Sequence, residues 1–296
     1  MHTPVLQKEI IEGLSPKPNE NFIDATFGFG GHAMDILKKI KPNGKVIGIE
    51  IDPTEIKTFK ENNNFNQEAL DRLILVNDSY INASKIAKES GLRINGILFD
   101  LGLSSWHFEK SNRGFSFRKD EALDMRFNPE RNQLTAFEII NYYKEEQIEK
   151  ILREFAQEDL SKIIAKNIIK AREVRPIRTT SELLKIIMDH LPKWYKRRKI
   201  HPATKTFQAL RMAVNDELET IKKGIEEGIG AIEKDGRIAV ISFHSLEDKI
   251  VKEMFKDKEA EGKIKIITKK PITAKFNEVK INPRSRSAKL RIAIKI

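Results

Sequence analysis

The chain has 296 residues, of which 40% are apolar and 33% charged, and it contains no cysteine. This length and composition indicate a folded globular protein with one large domain, or with a large domain that carries a smaller one. The absence of cysteine excludes disulfides, iron–sulfur clusters, thiolate zinc sites and every mechanism that needs a cysteine nucleophile. The six histidines are scattered without a metal-binding pair, so no metal is expected. No stretch approaches the roughly 20 apolar residues of a membrane span, and no signal-peptide core is present, so we expect a cytoplasmic protein with no membrane partner.

The net charge of +11 is concentrated in two windows. Residues 190–215 contain seven Lys or Arg and no acid, and residues 263–296 contain eleven Lys or Arg and one acid. Two solvated basic faces would explain these windows equally simply, but such concentration favours a polyanionic partner, because neutralising phosphates drives this kind of binding.

The first hundred residues alternate between strand and helix patterns. Strands are predicted at 21–26, 45–51, 73–76 and 96–100, and helices at 33–41 and 53–62. Strands separated by helices of this length predict an α/β protein with a mostly parallel, doubly wound, Rossmann-like sheet.

The alternation stops after residue 105 and returns about a hundred residues later. Residues 106–132 are irregular and rich in aromatic residues and arginine, and 135–205 are helical, with capping boxes predicted at Thr135 and Thr179. The last part is predicted as a helix at 215–233 stopped by Gly236, a strand at 237–243, a helix at 245–256 opened by Ser245, and strands at 263–268 and 289–296. The prediction is therefore a seven-stranded domain, residues 1–105 and 206–296, interrupted by a helical insert at 106–205.

A glycine-rich turn follows the first strand and reads Asp24-Ala-Thr-Phe-Gly-Phe-Gly-Gly-His32. Glycines at Gly28, Gly30 and Gly31 let the backbone approach a ligand, and the following helix directs its positive end toward it. The spacing differs from the G-x-G-x-x-G pattern of dinucleotide sites. Asp24 and a helix N-terminus suit the ammonium and carboxylate of a zwitterionic sulfonium cofactor, although a glycine-rich turn alone is a weak signal.

Three further side chains stand at the ends of successive strands. Asp52 can accept hydrogen bonds from ribose hydroxyls, Tyr80 can pack on an adenine ring, and Asp100 lies at the carboxyl edge where such folds place chemistry. Each also has a structural interpretation, as a turn aspartate, a core ring or a strand-end acid. Together with the glycine turn they indicate a cofactor site.

With these motifs the sequence resembles the RsmH (MraW) methyltransferases, a family that methylates a cytosine N4 atom in 16S ribosomal RNA. The matching segments are HTPVL (2–6), DATFGFGGH (24–32), DLGLSS (100–105), RGFSFR (113–118), LDMR (123–126), HPATKTFQALR (201–211), SFHSLED (242–248) and NPRSRSAKLR (282–291). The resemblance covers nearly the whole chain and implies a class I methyltransferase fold with a helical insert, and S-adenosylmethionine as cofactor. The implied substrate is a cytidine in the decoding region of the small ribosomal subunit.

The resemblance assigns the family's cofactor positions to individual residues of this chain. They fall on Gly30, Gly31, His32, Asp52, Tyr80, Asp100 and His107. Phe29 and Tyr80 replace the more usual arginine and phenylalanine, and Trp106-His107 replaces a Pro-Gln pair.

Methylation of an exocyclic amine needs a group that binds the amine hydrogens, because the N4 lone pair is conjugated with the ring. Asp100 is the first candidate for that acceptor, and His244, just beyond a strand on the same sheet edge, is the second. Asp100 could serve the cofactor alone, and residues 242–248 could be no more than a strand end followed by a helix cap.

A second set of residues is assigned to RNA by resemblance, by charge and by the mixture of aromatic and basic side chains. They are Arg113, Phe115, Phe117, Arg118, Arg126, Lys205, Arg211, Asn282, Arg284 and Arg286. A loop pinned by aromatic anchors, or a solvated basic face, would give the same pattern.

Three alternatives remain open from the sequence. The first is a methyltransferase for another nucleic acid amine, although the Asp/Asn-Pro-Pro-Tyr/Phe element typical of DNA enzymes is replaced here by Asp-Leu-Gly-Leu-Ser. The second is a non-catalytic ribosome assembly factor, and the third is an NAD-dependent enzyme, which the glycine spacing disfavours. Whether the chain forms a homodimer is also open.

Overall fold

The computed structural model describes residues 4–62 and 65–296, so His2 and Thr3, the start of the first matching segment, lie outside the described residues. Contacts divide the chain into two compact units. The first comprises the chain up to Gly102 together with Leu218–Ile296, and the second is Leu103–Glu217. The predicted insert, 106–205, falls within the second unit, which continues beyond residue 205 because the helix Ala203–Val214 packs into its core.

The first unit contains one sheet. Its strands are β1 (Asn21–Asp24), β2 (Val46–Glu50), β3 (Leu73–Asn77), β4 (Ile94–Leu101), β5 (Ile232–Ser242), β6 (Ile264–Ile266), β7 (Ile272–Thr273) and β8 (Lys289–Lys295). The order β3-β2-β1-β4-β5-β8-β6 gives a seven-stranded path, and the short β7 also pairs with β8. β1 to β5 pair in parallel, whereas β8 runs antiparallel to β5, β6 and β7. The predicted mostly parallel, Rossmann-like sheet is confirmed.

Successive residues of the central strands enter two different cores, one on each face of the sheet. Ile23 and Ile97 belong to one buried cluster, whereas their neighbours Phe22 and Leu98 belong to another. This alternation follows from the two-residue period of a strand, and burial on both faces explains why the strands are almost continuously apolar.

Helices cover the sheet of the first unit. They are α1 (Gln7–Leu14), α2 (Gly31–Lys39), α3 (Pro53–Asn62), α4 (Gln67–Leu70), α5 (Ala83–Ser90), α13 (Glu217–Ala231), α14 (Ser245–Ala260) and α15 (Phe276–Ile281). α13 ends and β5 begins earlier than predicted, so Gly236 lies within β5, where the register against β4 shifts.

The second unit is helical, as predicted for the insert. Its helices are α6 (Ser105–Glu109), α7 (Ala136–Tyr142), α8 (Glu145–Ala156), α9 (Ser161–Val174), α10 (Thr180–His190), α11 (Lys193–Lys196) and α12 (Ala203–Val214). Thr135 forms the predicted capping box with Glu138. Thr179 caps α10, but the Glu182 carboxylate accepts from the backbone N–H of Arg178, so the predicted second box is only half formed. No helix among the described residues is long and apolar enough to cross a membrane.

The strand order of the first unit fixes where a ligand can bind. β1 lies between β2 and β4, so the direction in which successive strands are added reverses beside β1. In open α/β sheets, ligands bind at such a reversal, beyond the carboxyl ends of the strands. Asp24 ends β1, Glu50 ends β2 and Asp100 lies one residue from the end of β4, so three acidic residues stand at this edge.

Candidate active site

The glycine-rich turn between β1 and α2 needs glycine for two reasons. Gly28 and Gly30 have φ values of 52° and 75°, in the left-handed region that L-residues rarely adopt. A Cβ at Gly30 would lie 2.8 Å from the ring of Phe27, and a Cβ at Gly31 would lie 2.3 Å from Pro4. A Cβ at Gly28 would meet no atom within 4 Å, so the space beside the Gly28 backbone is open to a ligand.

Glu50 joins this turn to the end of β2. One oxygen of its carboxylate accepts from the backbone N–H of Gly28 at 2.8 Å, and the other accepts from the backbone N–H of Asp52 at 3.0 Å. Burial raises the pKa of Glu50 to about 7, against the lowering effect of these two hydrogen bonds. The sequence reasoning missed Glu50, although its position as the last residue of an apolar strand was the available signal.

Asp52 lies two residues further on and is fully buried. One carboxylate oxygen accepts from the backbone N–H of Thr54 at 2.9 Å, within the turn that opens α3. Asp52 therefore acts as a turn aspartate, which is the structural alternative that the sequence left open. The acid that contacts the backbone at Gly28 in the glycine-rich turn is Glu50.

His32 brings together two of the strand-end acids. Its Nε2 atom lies 3.6 Å from the nearer carboxylate oxygen of Asp100. Burial lowers the pKa of His32, but the carboxylates of Asp100 and then Asp24 outweigh burial and raise it. The Asp24 carboxylate is itself buried, which raises its pKa to about 6 although the positive charge of His32 lowers it. His32, Asp24 and Asp100 therefore form one cluster at the carboxyl ends of β1 and β4.

Asp100 has the features of a group prepared to accept a further hydrogen bond. Its backbone N–H donates to the Thr26 hydroxyl at 2.7 Å, which fixes the residue at the end of β4. Its side chain is 26% exposed, yet its Oδ1 atom is buried without a hydrogen-bond partner among the described residues. A buried acceptor without a partner is costly, so it indicates a place where a ligand donates.

His244, the second catalytic candidate, is occupied by helix capping. It is the N-cap residue of α14, one residue before the predicted Ser245. Its Nδ1 atom accepts from the backbone N–H of Glu247 at 3.4 Å, while the Glu247 carboxylate accepts from the backbone N–H groups of Phe243 and His244. The local contacts of residues 242–248 are therefore those of a strand end followed by a helix cap, which is the structural alternative that the sequence left open.

The remaining cofactor candidates, Tyr80 and His107, lie in different units. The Tyr80 ring packs edge-on against Phe99, and a Cβ at Gly224 of α13 would lie 2.3 Å from it. His107 lies in α6 of the second unit, where it is buried edge-on against the rings of Phe115 and Phe127. Its Nδ1 atom is 3.0 Å from the Ser104 hydroxyl.

The aromatic residues assigned to RNA in the 113–127 loop are packed inside the second unit. Phe115 is buried, and its ring stacks on Phe127 with centroids 5.7 Å apart. Phe117 stacks on His201 at 4.5 Å and meets Phe207 edge-on. In this packing the Phe115 ring is only 5% exposed, and its assignment to RNA stays a prediction.

Two of the three arginines of this loop hold its backbone together. Arg113 donates to the carbonyl oxygens of Arg126 and Phe127, both at 2.8 Å. Arg126 forms a bidentate pair with Asp124 at 2.9 and 2.6 Å. Arg118 is exposed and makes no ion pair within the described part of the chain, so it is the arginine of this loop that is available to a phosphate.

The other RNA candidates are divided between the two units. In the second unit, Arg211 forms a bidentate pair with Glu217 at 2.7 and 2.8 Å, and Lys205 donates to the carbonyl oxygen of Gln157 at 2.7 Å. In the first unit, Arg284 and Arg286 are exposed on the 3₁₀ turn Pro283–Ser287, and Asn282 is half-buried beside it.

The described geometry defines a class of protein. A Rossmann-like sheet, a glycine-rich turn that opens α2 and acids at the ends of β1, β2 and β4 are the arrangement typical of proteins that bind a nucleoside-containing cofactor. The chain belongs to the MraW methylase family, whose model matches residues 1–296. This confirms the family resemblance deduced from the motifs.

Curated relatives match the chain over its whole length. Ribosomal RNA small subunit methyltransferase H from Clostridium botulinum (strain 657 / Type Ba4) is 43% identical over 311 residues, and the match covers 100% of this chain and 99% of the relative. The protein of the same name from Sulfurihydrogenibium sp. (strain YO3AOP1) is 44% identical over 296 residues, with the same coverage. That from Heliobacterium mobile is 40% identical over 313 residues, again covering 100% and 99%.

Proposed function

We propose that this protein transfers a methyl group from S-adenosylmethionine to the N4 amine of a cytidine in the decoding region of 16S ribosomal RNA. The observation that carries the proposal is Asp100 at the carboxyl end of β4, whose buried Oδ1 atom has no hydrogen-bond partner among the residues that the structure describes. The relatives named as small-subunit ribosomal RNA methyltransferases support the substrate class, and the family supports methyl transfer. A ribosomal RNA substrate would place this activity in the cytoplasm.

The residues at the strand ends fit this cofactor, which when bound supplies an electrophilic methyl group on a positively charged sulfur. Glu50 is proposed to accept hydrogen bonds from the ribose hydroxyls, and Asp52, a cofactor position by family resemblance, is the alternative acceptor. The backbone at Gly28 and the N-terminus of α2 suit a carboxylate, and Asp24 suits an ammonium group. Tyr80 is proposed to contact the adenine ring. His32 is proposed to hold Asp100 and Asp24 in place, and the family position at His107 remains part of the proposal.

Asp100 is proposed to act on the amine of the substrate base. Its Oδ1 atom accepts a hydrogen bond from an N4 hydrogen, which directs the nitrogen lone pair away from the ring and toward the methyl donor. As the nitrogen becomes positively charged, Asp100 stabilises that charge and takes the proton. His32, whose Nε2 atom lies 3.6 Å from the other Asp100 oxygen, is proposed to hold the Asp100 carboxylate in position. His244 stays in the proposal only as the less favoured acceptor, because its ring already caps α14.

Binding of the RNA is proposed to use the exposed cations of each unit. Arg118 in the second unit, and Arg284 and Arg286 in the first, are exposed on loops or turns where phosphates can reach them. Arg113 and Arg126 contribute indirectly by fixing the loop that carries Arg118. Phe117, Lys205, Arg211 and Asn282 remain weaker candidates, because each is partly buried.

Methyl transfer to small ribosomal subunits tests the proposal directly. Subunits from cells that lack the enzyme are incubated with labelled S-adenosylmethionine, and the digested nucleosides are identified by mass spectrometry. N4-methylcytidine is the expected product. Label in DNA or protein but not in RNA would contradict the substrate, and cofactor binding without any transfer would favour a non-catalytic assembly factor.

A further inference from the structure

An exposed tryptophan in the second unit stands among basic residues of the sequence Lys193-Trp-Tyr-Lys-Arg-Arg-Lys199, here called the 193–199 patch. We infer that this patch is an additional RNA contact, in which an unpaired base stacks on Trp194 and neighbouring phosphates meet the surrounding cations. The inference rests on the proposed function, because it deepens the description of how RNA is held. None of the residues assigned to RNA from the sequence lies in the patch.

The patch is anchored by the residue that follows the tryptophan. Tyr195 is 2% exposed and belongs to the core of the second unit. Its hydroxyl donates to the Glu158 carboxylate, and the same Glu158 oxygen accepts from the backbone N–H of Leu160 at 3.0 Å. A buried tyrosine with its hydroxyl satisfied fixes the short helix α11, so the side chains beside it have a defined direction.

Trp194 is oriented by its neighbours and still left open to solvent. Its ring meets Tyr195 edge-on, with centroids 5.5 Å apart and an interplanar angle of 78°. The Arg198 guanidinium lies 5.2 Å from the Trp194 centroid and 4.2 Å from that of Tyr195, and an ion pair with Asp159 at 2.8 Å holds it there. Trp194 nevertheless remains 58% exposed. An indole held in one direction but mostly uncovered is a preformed stacking surface, because little freedom is lost when a base binds.

The charges around Trp194 select the kind of partner. Lys193, Lys196, Arg197 and Lys199 are all exposed, and none of them forms an ion pair within the part of the chain that the structure describes. Arg198 is the only cation of the patch that has a carboxylate partner there, Asp159. Four uncompensated cations beside an aromatic ring match alternating bases and phosphates of a single strand, because the ring binds a base face while the cations bind phosphates.

The second unit also contains a matched control for an exposed aromatic ring. Tyr142, at the end of α7, is 71% exposed, and the residues that follow it include one cation, Lys144, and two acids, Glu145 and Glu146. The sequence beside this ring therefore has no excess of positive charge to attract phosphates. Replacing Tyr142 therefore removes a comparable exposed ring without removing an RNA contact.

Binding of an unstructured RNA oligonucleotide by the full-length protein, followed by fluorescence anisotropy, tests the stacking surface. Trp194→Ala is expected to raise the Kd for RNA by roughly 5- to 150-fold, the range measured for losing one stacked base. Trp194→Phe should restore most of the affinity, and Tyr142→Ala should leave it unchanged. The methyl-transfer KM for RNA should rise in Trp194→Ala, while kcat and the Kd for S-adenosylmethionine stay at wild-type values.

Two further measurements separate stacking from simple charge attraction. Inorganic polyphosphate has no bases, so its binding should be unaffected by Trp194→Ala but weakened by Lys196→Ala. In the RNA assay, Lys196→Ala should lower the slope of log K against log salt by about 0.7, the value for one phosphate contact on a single strand.

Equal RNA affinity in Trp194→Ala and Tyr142→Ala would overturn the inference. So would an equal loss of RNA and polyphosphate binding in Trp194→Ala, because the ring would then act only through structure or charge. The proposed function fails separately, if the wild-type protein transfers no methyl group to ribosomal RNA while it still binds S-adenosylmethionine.

Discussion

Replacing Glu50 by glutamine tests whether this acid, which the structure adds to the candidate site, is the carboxylate that binds the cofactor. The wild-type carboxylate accepts from the backbone N–H of Gly28 at 2.8 Å and from that of Asp52 at 3.0 Å. Glutamine keeps one acceptor oxygen, so one of these donors would face an amide NH₂ group. A hydrogen bond to a charged group contributes about 1.5–3 kcal/mol. If ribose hydroxyls also donate to Glu50, the Kd for S-adenosylmethionine should rise by roughly 10- to 150-fold.

Isothermal titration calorimetry at pH 8 measures this effect, because the Glu50 carboxylate, with a pKa of about 7, is then mostly ionised. Thermal unfolding on the same samples gives the stability. The folded pKa is raised above the ordinary value of 4.5, so the folded protein holds this proton more tightly than the unfolded chain. Stability should therefore fall as pH rises from about 4.5 to about 7 in the wild type, and less so in Glu50→Gln. The affinity for S-adenosylmethionine, unlike the stability, should rise with pH. It should be weaker below about pH 7, because the ionised Glu50 carboxylate is a better hydrogen-bond acceptor than the protonated one.

Asp52→Asn is the matched comparison. Asparagine can accept from the Thr54 backbone N–H much as aspartate does, and it serves about equally well at helix starts. We expect its Kd for S-adenosylmethionine to stay within about threefold of the wild type. A larger loss in Asp52→Asn than in Glu50→Gln would refute the reasoning and return the ribose contact to Asp52.

Three other outcomes follow from the contacts. Asp100→Asn should lower kcat for RNA methylation by roughly 10²- to 10⁴-fold, with cofactor affinity nearly unchanged. His244→Asn preserves a good N-cap and should keep most of the activity. If single-turnover assays give the reverse ranking of the two variants, His244 is the acceptor. Asp248→Ala should cost about 3–5 kcal/mol in urea unfolding, because Arg291, 2.7 Å away and nearly buried, would lose its partner. Burial raises the pKa of Asp248, but its hydrogen bonds to Arg291 and Lys289 outweigh burial and hold that pKa below the usual range. The stabilisation by Asp248 should therefore be present above about pH 4 and disappear in more acidic solution. A mutant whose acid unfolding transition is the same as that of the wild type would contradict this prediction. Thr135→Ala should destabilise by about 1 kcal/mol in the same unfolding assay, through loss of the α7 capping box, and an unchanged transition midpoint would exclude that contribution.

The general architecture was predictable because it depends on local patterns of apolar and polar residues along the chain. The helix at 53–62 was predicted with the bounds that the structure gives, and each of the first four strands overlaps its prediction. Apolar runs of this kind are needed when both faces of a strand are buried, so the run itself reveals a parallel sheet. Asp24 and Asp100 were found for the same reason, because an acid that closes such a run must lie at the carboxyl edge.

The roles of individual side chains within the site were less predictable. Asp52 and Glu50 are two residues apart, and only the fold shows that Glu50 contacts the glycine-rich turn while Asp52 contacts the start of α3. His244 was read as a catalytic candidate, and its capping of α14 depends on a backbone conformation that the sequence does not state. Phe115 lies in a loop rich in arginine and aromatic residues, which is why the sequence indicated a ring that stacks on a base. In the fold its ring packs against Phe127, below the surface.

The sequence by itself determined the family, the order of every strand except β7, the glycine-rich turn and the two basic windows. These properties depend on residue type and spacing along the chain, which are local. Tertiary structure alone decided which charged groups are already neutralised, as Arg211 and Arg126 are, and which remain open, as Arg118 and the cations around Trp194 do. The physical reason is that the availability of a charge or a ring depends on partners distant in sequence, and folding chooses those partners.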